Sequence, residues 1–129
     1  MSGGVGSVVG VGVDAVDIAR FRESLHRTPS MRDRMFTPDE IASLNTRVDA
    51  VPSFAARFAA REAVMKAMGV GLGAFDFHDV WVASHESGRP VLNVSGRADE
   101  LARERGITSW HLSLTHTDGL AIAYVVATS

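Results

Sequence analysis

Cysteine is absent from the 129 residues, which excludes disulfides, a thiol nucleophile and a thiolate metal centre. Lysine is nearly absent as well: of 13 basic residues twelve are arginine, and Lys66 stands alone. An arginine excess is most simply genomic. A compact ammonium and a planar guanidinium nevertheless differ in chemistry, so a chemical role for Lys66 would tolerate exchange poorly. No apolar run is long enough to span a bilayer, and the N-terminus lacks the basic start and cleavage pattern of a secretory leader. A cytoplasmic protein with no membrane partner is expected. A net charge of −2 also argues against nucleic acid as a general partner.

Several catalytic signatures are missing too. Gly10 and Gly12 invite a dinucleotide-binding turn, but no third glycine follows at the required spacing, and Asp14 would put a negative charge where a pyrophosphate belongs. There is no P-loop, and no Gly-x-Ser-x-Gly elbow for a serine hydrolase. Five scattered histidines with no third ligand in register leave a zinc site without support.

What is present fits one domain, with an ordinary balance of 46% hydrophobic and 22% charged residues and enough length for a real core but not for a deep private cleft. Residues 1–7 are small and glycine-rich, and are expected to fray. Val8 to Val13 reads as a buried strand, followed by a helix from Asp14 to His26. Thr37, Pro38 and Glu40 announce a second helix through an N-cap, a first-turn proline and a capping box. The strongest helix runs from Phe54 to Met68 and is closed by Gly69. The period then switches to alternation. Val80–Ala83 and Val91–Val94 flank a Glu86-Ser87-Gly88-Arg89 turn, and Trp110–Thr115 and Leu120–Ala127 flank Thr117-Asp118-Gly119, with a short helix over Ala98–Glu104 between the hairpins. The order β-α-α-α-β-β-α-β-β predicts an α+β domain whose mainly antiparallel sheet packs against the long helix.

Charge is unevenly spread. Residues 20–34 carry five arginines against Glu23 and Asp33, so this segment is either a solvated helix face or a dock for an acidic partner. Asp14, at a strand end, is a helix cap or a ligand for a hard cation. Glu62 and Lys66 lie one helical turn apart, a surface ion pair or a metal ligand beside a phosphate-binding ammonium. The alanines at 55, 56, 59, 60, 63 and 67 allow backbone or a ligand to approach that helix closely. His116, beside a turn, is better placed to meet a ligand than His111, which reads as a sheet residue.

Five segments taken in order resemble a known family: Gly10-Val11-Gly12-Val13-Asp14, Phe36-Thr37-Pro38-Asp39-Glu40, Arg57-Phe58-Ala59-Ala60-Arg61-Glu62-Ala63 with Lys66-Ala67, Ser87-Gly88-Arg89-Pro90, and His111 to His116. Each motif alone is weak. Together, at this separation and chain length, they are similar to the holo-acyl-carrier-protein synthases, the short bacterial group of 4′-phosphopantetheinyl transferases.

The resemblance implies transfer of 4′-phosphopantetheine from coenzyme A to a serine of an apo acyl carrier protein, with Mg²⁺ as cofactor. It implies Asp14 and Glu62 as metal ligands, and Asp14, Glu62 and Lys66 as the catalytic set. It implies Arg57, Phe58, Arg61, Met65, Lys66, Gly69, Gly71, Thr115 and His116 around coenzyme A, with His116 reaching in from a neighbouring subunit of a homotrimer. The first helix would meet the carrier through Arg20, Phe21, Ser24 and Arg27. One departure is Arg61, where the family commonly has lysine; arginine keeps the charge but does not readily transfer a proton. The alternative is a non-catalytic homologue that only binds a carrier protein or nucleotide.

Overall fold

The structure is a computed structural model and describes residues 6–129. Its elements are β1 (Val8–Asp17), α1 (Ile18–Arg27), α2 (Met31–Met35), α3 (Pro38–Leu44), α4 (Val51–Met68), a 3₁₀ turn (Phe77–Asp79), β2 (Val80–Ser84), β3 (Pro90–Val94), α5 (Gly96–Glu104), β4 (Ser109–His116) and β5 (Leu120–Thr128). The expected α+β architecture is present. Its strands form two antiparallel sheets, one ordered β1-β5-β4 and the other the β2-β3 hairpin.

Two local expectations are corrected. β1 does not stop at Val13: β5 pairs with it as far as Asp17 opposite Leu120, so Asp14 lies inside the strand, opposite Ala123. The helix cap is Asp17, whose Oδ1 accepts from the Arg20 N–H at 2.9 Å. The second correction is α2, a single turn between Ser30 and Phe36 that was not anticipated; five residues are too few for an apolar period to register. Of the segment expected to fray, residues 1–5 lie outside the described residues, while Ser7 is tied to Ser129 through a main-chain bond of 2.9 Å.

The capping box at Thr37 and Glu40 forms as read. Gly69 ends α4 in the left-handed conformation at φ 70°, which a residue with a Cβ adopts only at a cost.

α4 is the axis of the fold. Ala55, Ala59, Ala60, Ala63 and Val64 are fully buried along it, and it packs across the inner faces of β1 and β5. The inward row of β1 is Gly10, Gly12, Asp14 and Val16. A Cβ at Gly12 would collide with the carbonyl oxygen of Ala63, and one at Gly10 with that of Ala67. The two glycines therefore serve backbone-to-backbone contact between strand and helix, and this contact brings Asp14 against the middle of α4. A second cluster, including Phe21, Phe36, Leu44 and Phe54, joins α1 to α3 and the start of α4.

Candidate functional site

The close approach of β1 and α4 brings Asp14, Glu62 and Lys66 into one neighbourhood. Lys66 Nζ donates to Asp14 Oδ1 at 2.9 Å and to the Val13 carbonyl at 3.0 Å. The helical ion pair read from the sequence is thus replaced by a longer-range one. Among the described residues, no hydrogen bond or salt bridge reaches the half-buried Glu62 carboxylate. Burial raises the Glu62 pKa above its ordinary value, the Asp14 charge raises it further, and Lys66 partly opposes them. The site therefore holds two neighbouring carboxylates, one of them half-buried, and an exposed ammonium. Such a set attracts a hard cation and a phosphate together.

A second group of residues gathers on the other flank of α4. Arg57, Thr115 and His116 line a cleft of about 180 Å³ with Arg47, Ser53 and Ser84. Arg57 is only 6% exposed. One of its terminal nitrogens donates to the Ser53 carbonyl at 3.4 Å, while its buried Nε has no hydrogen-bond partner among the described residues. Burial lowers its pKa first; Glu40 acts the other way, and the charges of Arg47 and Arg61 add to the lowering. An incompletely paired guanidinium with a second arginine and a histidine beside it forms an anion-attracting corner. Arg47 was missed in the sequence because a loop arginine carries no periodic signal.

The two groups lie apart in one chain. Asp14 is on β1 and His116 on β4, the two outer strands of the sheet, with β5 between them and α4 across the inner face.

Two expected coenzyme A contacts, Arg61 and Met65, are corrected, while a third, Phe58, stays half-buried. Arg61 is wholly buried. It donates twice to Glu40, at 2.6 and 3.1 Å, and once to the Phe77 carbonyl at 2.9 Å, with its guanidinium over the Phe36 ring. It touches no solvent and has no free face for a phosphate. Met65 is 2% exposed, inside the main core. Phe58 packs between Phe21 and Phe77. Gly69 ends α4 one turn beyond Lys66, and Gly71 is exposed in the following loop.

On α1 the structure separates the proposed docking residues. Arg20 and Arg27 are exposed and free of ion pairs among the described residues, and Ser24 is half-buried. Phe21 is 5% exposed and anchors the helix, so it is removed from the expected contact surface. Arg22 is held by Asp49 through bonds of 3.1 and 2.7 Å. Beside α1 runs a groove of about 510 Å³ lined by Arg22, Leu25, His26, Arg32, Arg47 and Phe54, among others.

A family model described as the 4′-phosphopantetheinyl transferase superfamily matches residues 10–125. The chain belongs to this superfamily. It is 48% identical over 122 residues to the holo-[acyl-carrier-protein] synthase of Micrococcus luteus, covering 93% of this chain and 91% of that protein. It is 49% identical over 124 residues to the one from Frankia alni, covering 95% and 99%. Among solved structures, the holo-[acyl-carrier-protein] synthase of Neisseria meningitidis superposes with a TM-score of 0.86 at 28% identity, covering 95% of this chain and all of that one. A Bacillus anthracis synthase in complex with CoA (3′,5′-ADP) superposes at 0.79 with 30% identity, covering 95% and 97%. Membership of the phosphopantetheinyl transferase superfamily thus rests on nearly the whole chain, and on the same segments that contain the carboxylate pair and the arginine cleft.

Proposed function

We propose that the protein is a holo-acyl-carrier-protein synthase. It transfers 4′-phosphopantetheine from coenzyme A to a serine of an apo acyl carrier protein and releases adenosine 3′,5′-bisphosphate. The observation that carries this reading is the Asp14, Glu62 and Lys66 constellation in a chain similar throughout to named synthases. A non-catalytic homologue would have no use for a half-buried carboxylate with no hydrogen-bond partner among the described residues.

The donors suit Mg²⁺. Asp14, Glu62 and the nearby Val13 carbonyl are hard oxygen donors, and an ammonium already rests on two of these oxygens. The described residues contain no cluster of three or more histidine, cysteine or acidic side chains. That fits an ion which takes one or two carboxylates and fills its remaining positions with water and substrate phosphate. Mg²⁺ held by Asp14 and Glu62 would neutralise charge developing on the pyrophosphate.

The chain's own groups do the rest. Lys66 pairs with pyrophosphate oxygens, and Arg57, Arg47, Thr115 and His116 hold anionic groups of coenzyme A. The serine oxygen attacks the phosphorus that carries the pantetheine arm. The bond from that phosphorus to the bridging oxygen breaks, and its electron pair leaves with the bisphosphate. Glu62, poised beside the reacting phosphate, accepts the serine proton. Arg61 has no part in that proton transfer, since it is sealed in the core with Glu40.

Assembly as a homotrimer is part of this reading. The outer face of the sheet bears Val11, Val13 and Tyr124, each about half exposed, with Val13 opposite Tyr124 and Val11 opposite Val126. Such a face favours a second copy. A neighbour would also bring its arginine and histidine cleft toward the Asp14–Glu62 pair, which one chain keeps apart. The described residues contain no helix long and apolar enough to cross a membrane.

Incubation with coenzyme A, Mg²⁺ and an apo carrier should give, by mass spectrometry, a phosphopantetheine adduct that EDTA prevents and that Asp14→Ala and Glu62→Ala abolish. Normal adduct formation by either variant would refute the carboxylate assignment.

A further inference from the structure

Lys66 is the sole lysine of the chain, and its ammonium stands where a metal ion would be wanted. Its side chain is 55% exposed, whereas the Asp14 side chain it holds is 18% exposed. The same ammonium reaches the main-chain oxygen of Val13, so two oxygens that would face a cation are both engaged by this one group. Among the described residues, Asp14 has no other hydrogen-bond or ion-pair partner.

The charges around this point are two carboxylates and one ammonium. A divalent cation on Asp14 and Glu62 would reverse the local sign, and the ammonium could not remain on the same Asp14 oxygen. A partly exposed ion pair is a weak clasp, and the lysine stem is flexible. The other end of its swing is the phosphate that the metal brings.

We propose that Lys66 is a placeholder cation: it neutralises and orients Asp14 in the metal-free protein, is displaced when the divalent ion binds, and is thereby released toward the pyrophosphate. This inference rests on the reading of Asp14 and Glu62 as metal ligands. It makes Lys66 a positioning residue for the empty enzyme as well as a partner of the substrate. Metal and substrate would then load in a coupled sequence, because the ammonium needs a phosphate once it has left Asp14.

Having one lysine makes the test direct. Protein carrying ¹³C at lysine Cε gives a single side-chain signal, followed while Mg²⁺ is added without coenzyme A and compared with calorimetric binding of the same ion. The signal should move with the midpoint of the calorimetric isotherm. In Asp14→Asn it should start near the metal-loaded position of the unaltered protein and hardly move. Lys66→Met should bind Mg²⁺ about three- to fivefold more tightly, the scale of a weak competing ion pair. A stationary lysine signal across a clear binding isotherm, or Mg²⁺ binding no tighter in Lys66→Met, would overturn the placeholder and leave the metal reading standing. No Mg²⁺ binding without coenzyme A would overturn the placeholder alone. Mg²⁺ binding in the presence of coenzyme A that is indifferent to both Asp14→Asn and Glu62→Gln would overturn the metal reading and the placeholder with it.

Discussion

Arg61 and Glu40 face each other through two hydrogen bonds, of 2.6 and 3.1 Å, where neither side chain meets water. The carboxylate is shared further: Oε1 accepts the Thr37 N–H at 2.9 Å and Oε2 the Val82 N–H at 3.1 Å. One buried ion pair therefore ties α3, α4 and β2 together, one residue away from Glu62. Breaking such a pair from one side leaves an uncompensated charge in the core. Arg61→Ala is expected to cost about 3–5 kcal/mol in chemical denaturation. Arg61→Lys should be less damaging but still destabilising, because a lysine cannot reproduce the fork and the bond to Phe77. Wild-type stability of Arg61→Ala would refute the tie.

Gly12 is fixed by contact with backbone. Gly12→Ala should destabilise by about 1–3 kcal/mol or more, since the Ala63 carbonyl cannot rotate away as a side chain can. It should also lower transfer activity under conditions where the protein remains folded, because Asp14 would move off α4. Urea melts and adduct formation measured on the same sample would separate the two effects.

Glu62 should show a cost in stability for its place in the site. Its pKa is raised in the folded protein, so the folded state binds more protons than the unfolded one between the ordinary glutamate value and the raised value. Stability must fall as pH rises through that window. In EDTA, Glu62→Gln should therefore melt higher than the unaltered protein at pH 7, and the gain should vanish below the ordinary glutamate pKa. A gain independent of pH would point to a cause other than the buried charge.

The proposed sharing of sites between subunits predicts complementation. Glu62→Gln and His116→Ala proteins, each poorly active alone, should recover a fraction of activity when unfolded and refolded together, because some interfaces then combine an intact Glu62 with an intact His116. Failure to recover activity in verified mixed trimers would place both residues in a one-chain site.

Charge reversal at Arg20 or Arg27 should raise KM for the carrier several-fold and leave KM for coenzyme A unchanged. The effect should shrink as salt screens the attraction. Reversal at Arg22 should do less to the carrier specifically, because Arg22 is already committed to Asp49. Equal effects on both substrates would remove α1 as the docking face.

Local chemistry made much of this legible before any tertiary structure. The capping box at Thr37, the stop at Gly69 and both hairpins depend on neighbours a few residues away, and the sequence states them directly. The position of Asp14 did not follow, because a carboxylate near a strand end is equally a cap until the partner strand's length is known. β5 decided it by pairing three residues further, leaving Asp17 to cap α1. Arg61 was misread for the same reason. A charged residue on a helix is expected to face water, and only Glu40, arriving from 21 residues earlier, made its burial affordable.

The sequence by itself determined the kinds of groups available and their order: two acids, one lysine, an arginine-rich stretch, no thiol and no phosphate loop. Those are properties of composition and short spacing. The tertiary structure alone decided which of them meet. Gly10 and Gly12 let α4 lie directly on β1, which put Asp14 beside Lys66 across 52 residues, while the width of the sheet kept His116 on its far side. Contacts between distant segments depend on how closely backbones can approach, and that follows from the packing of the whole chain.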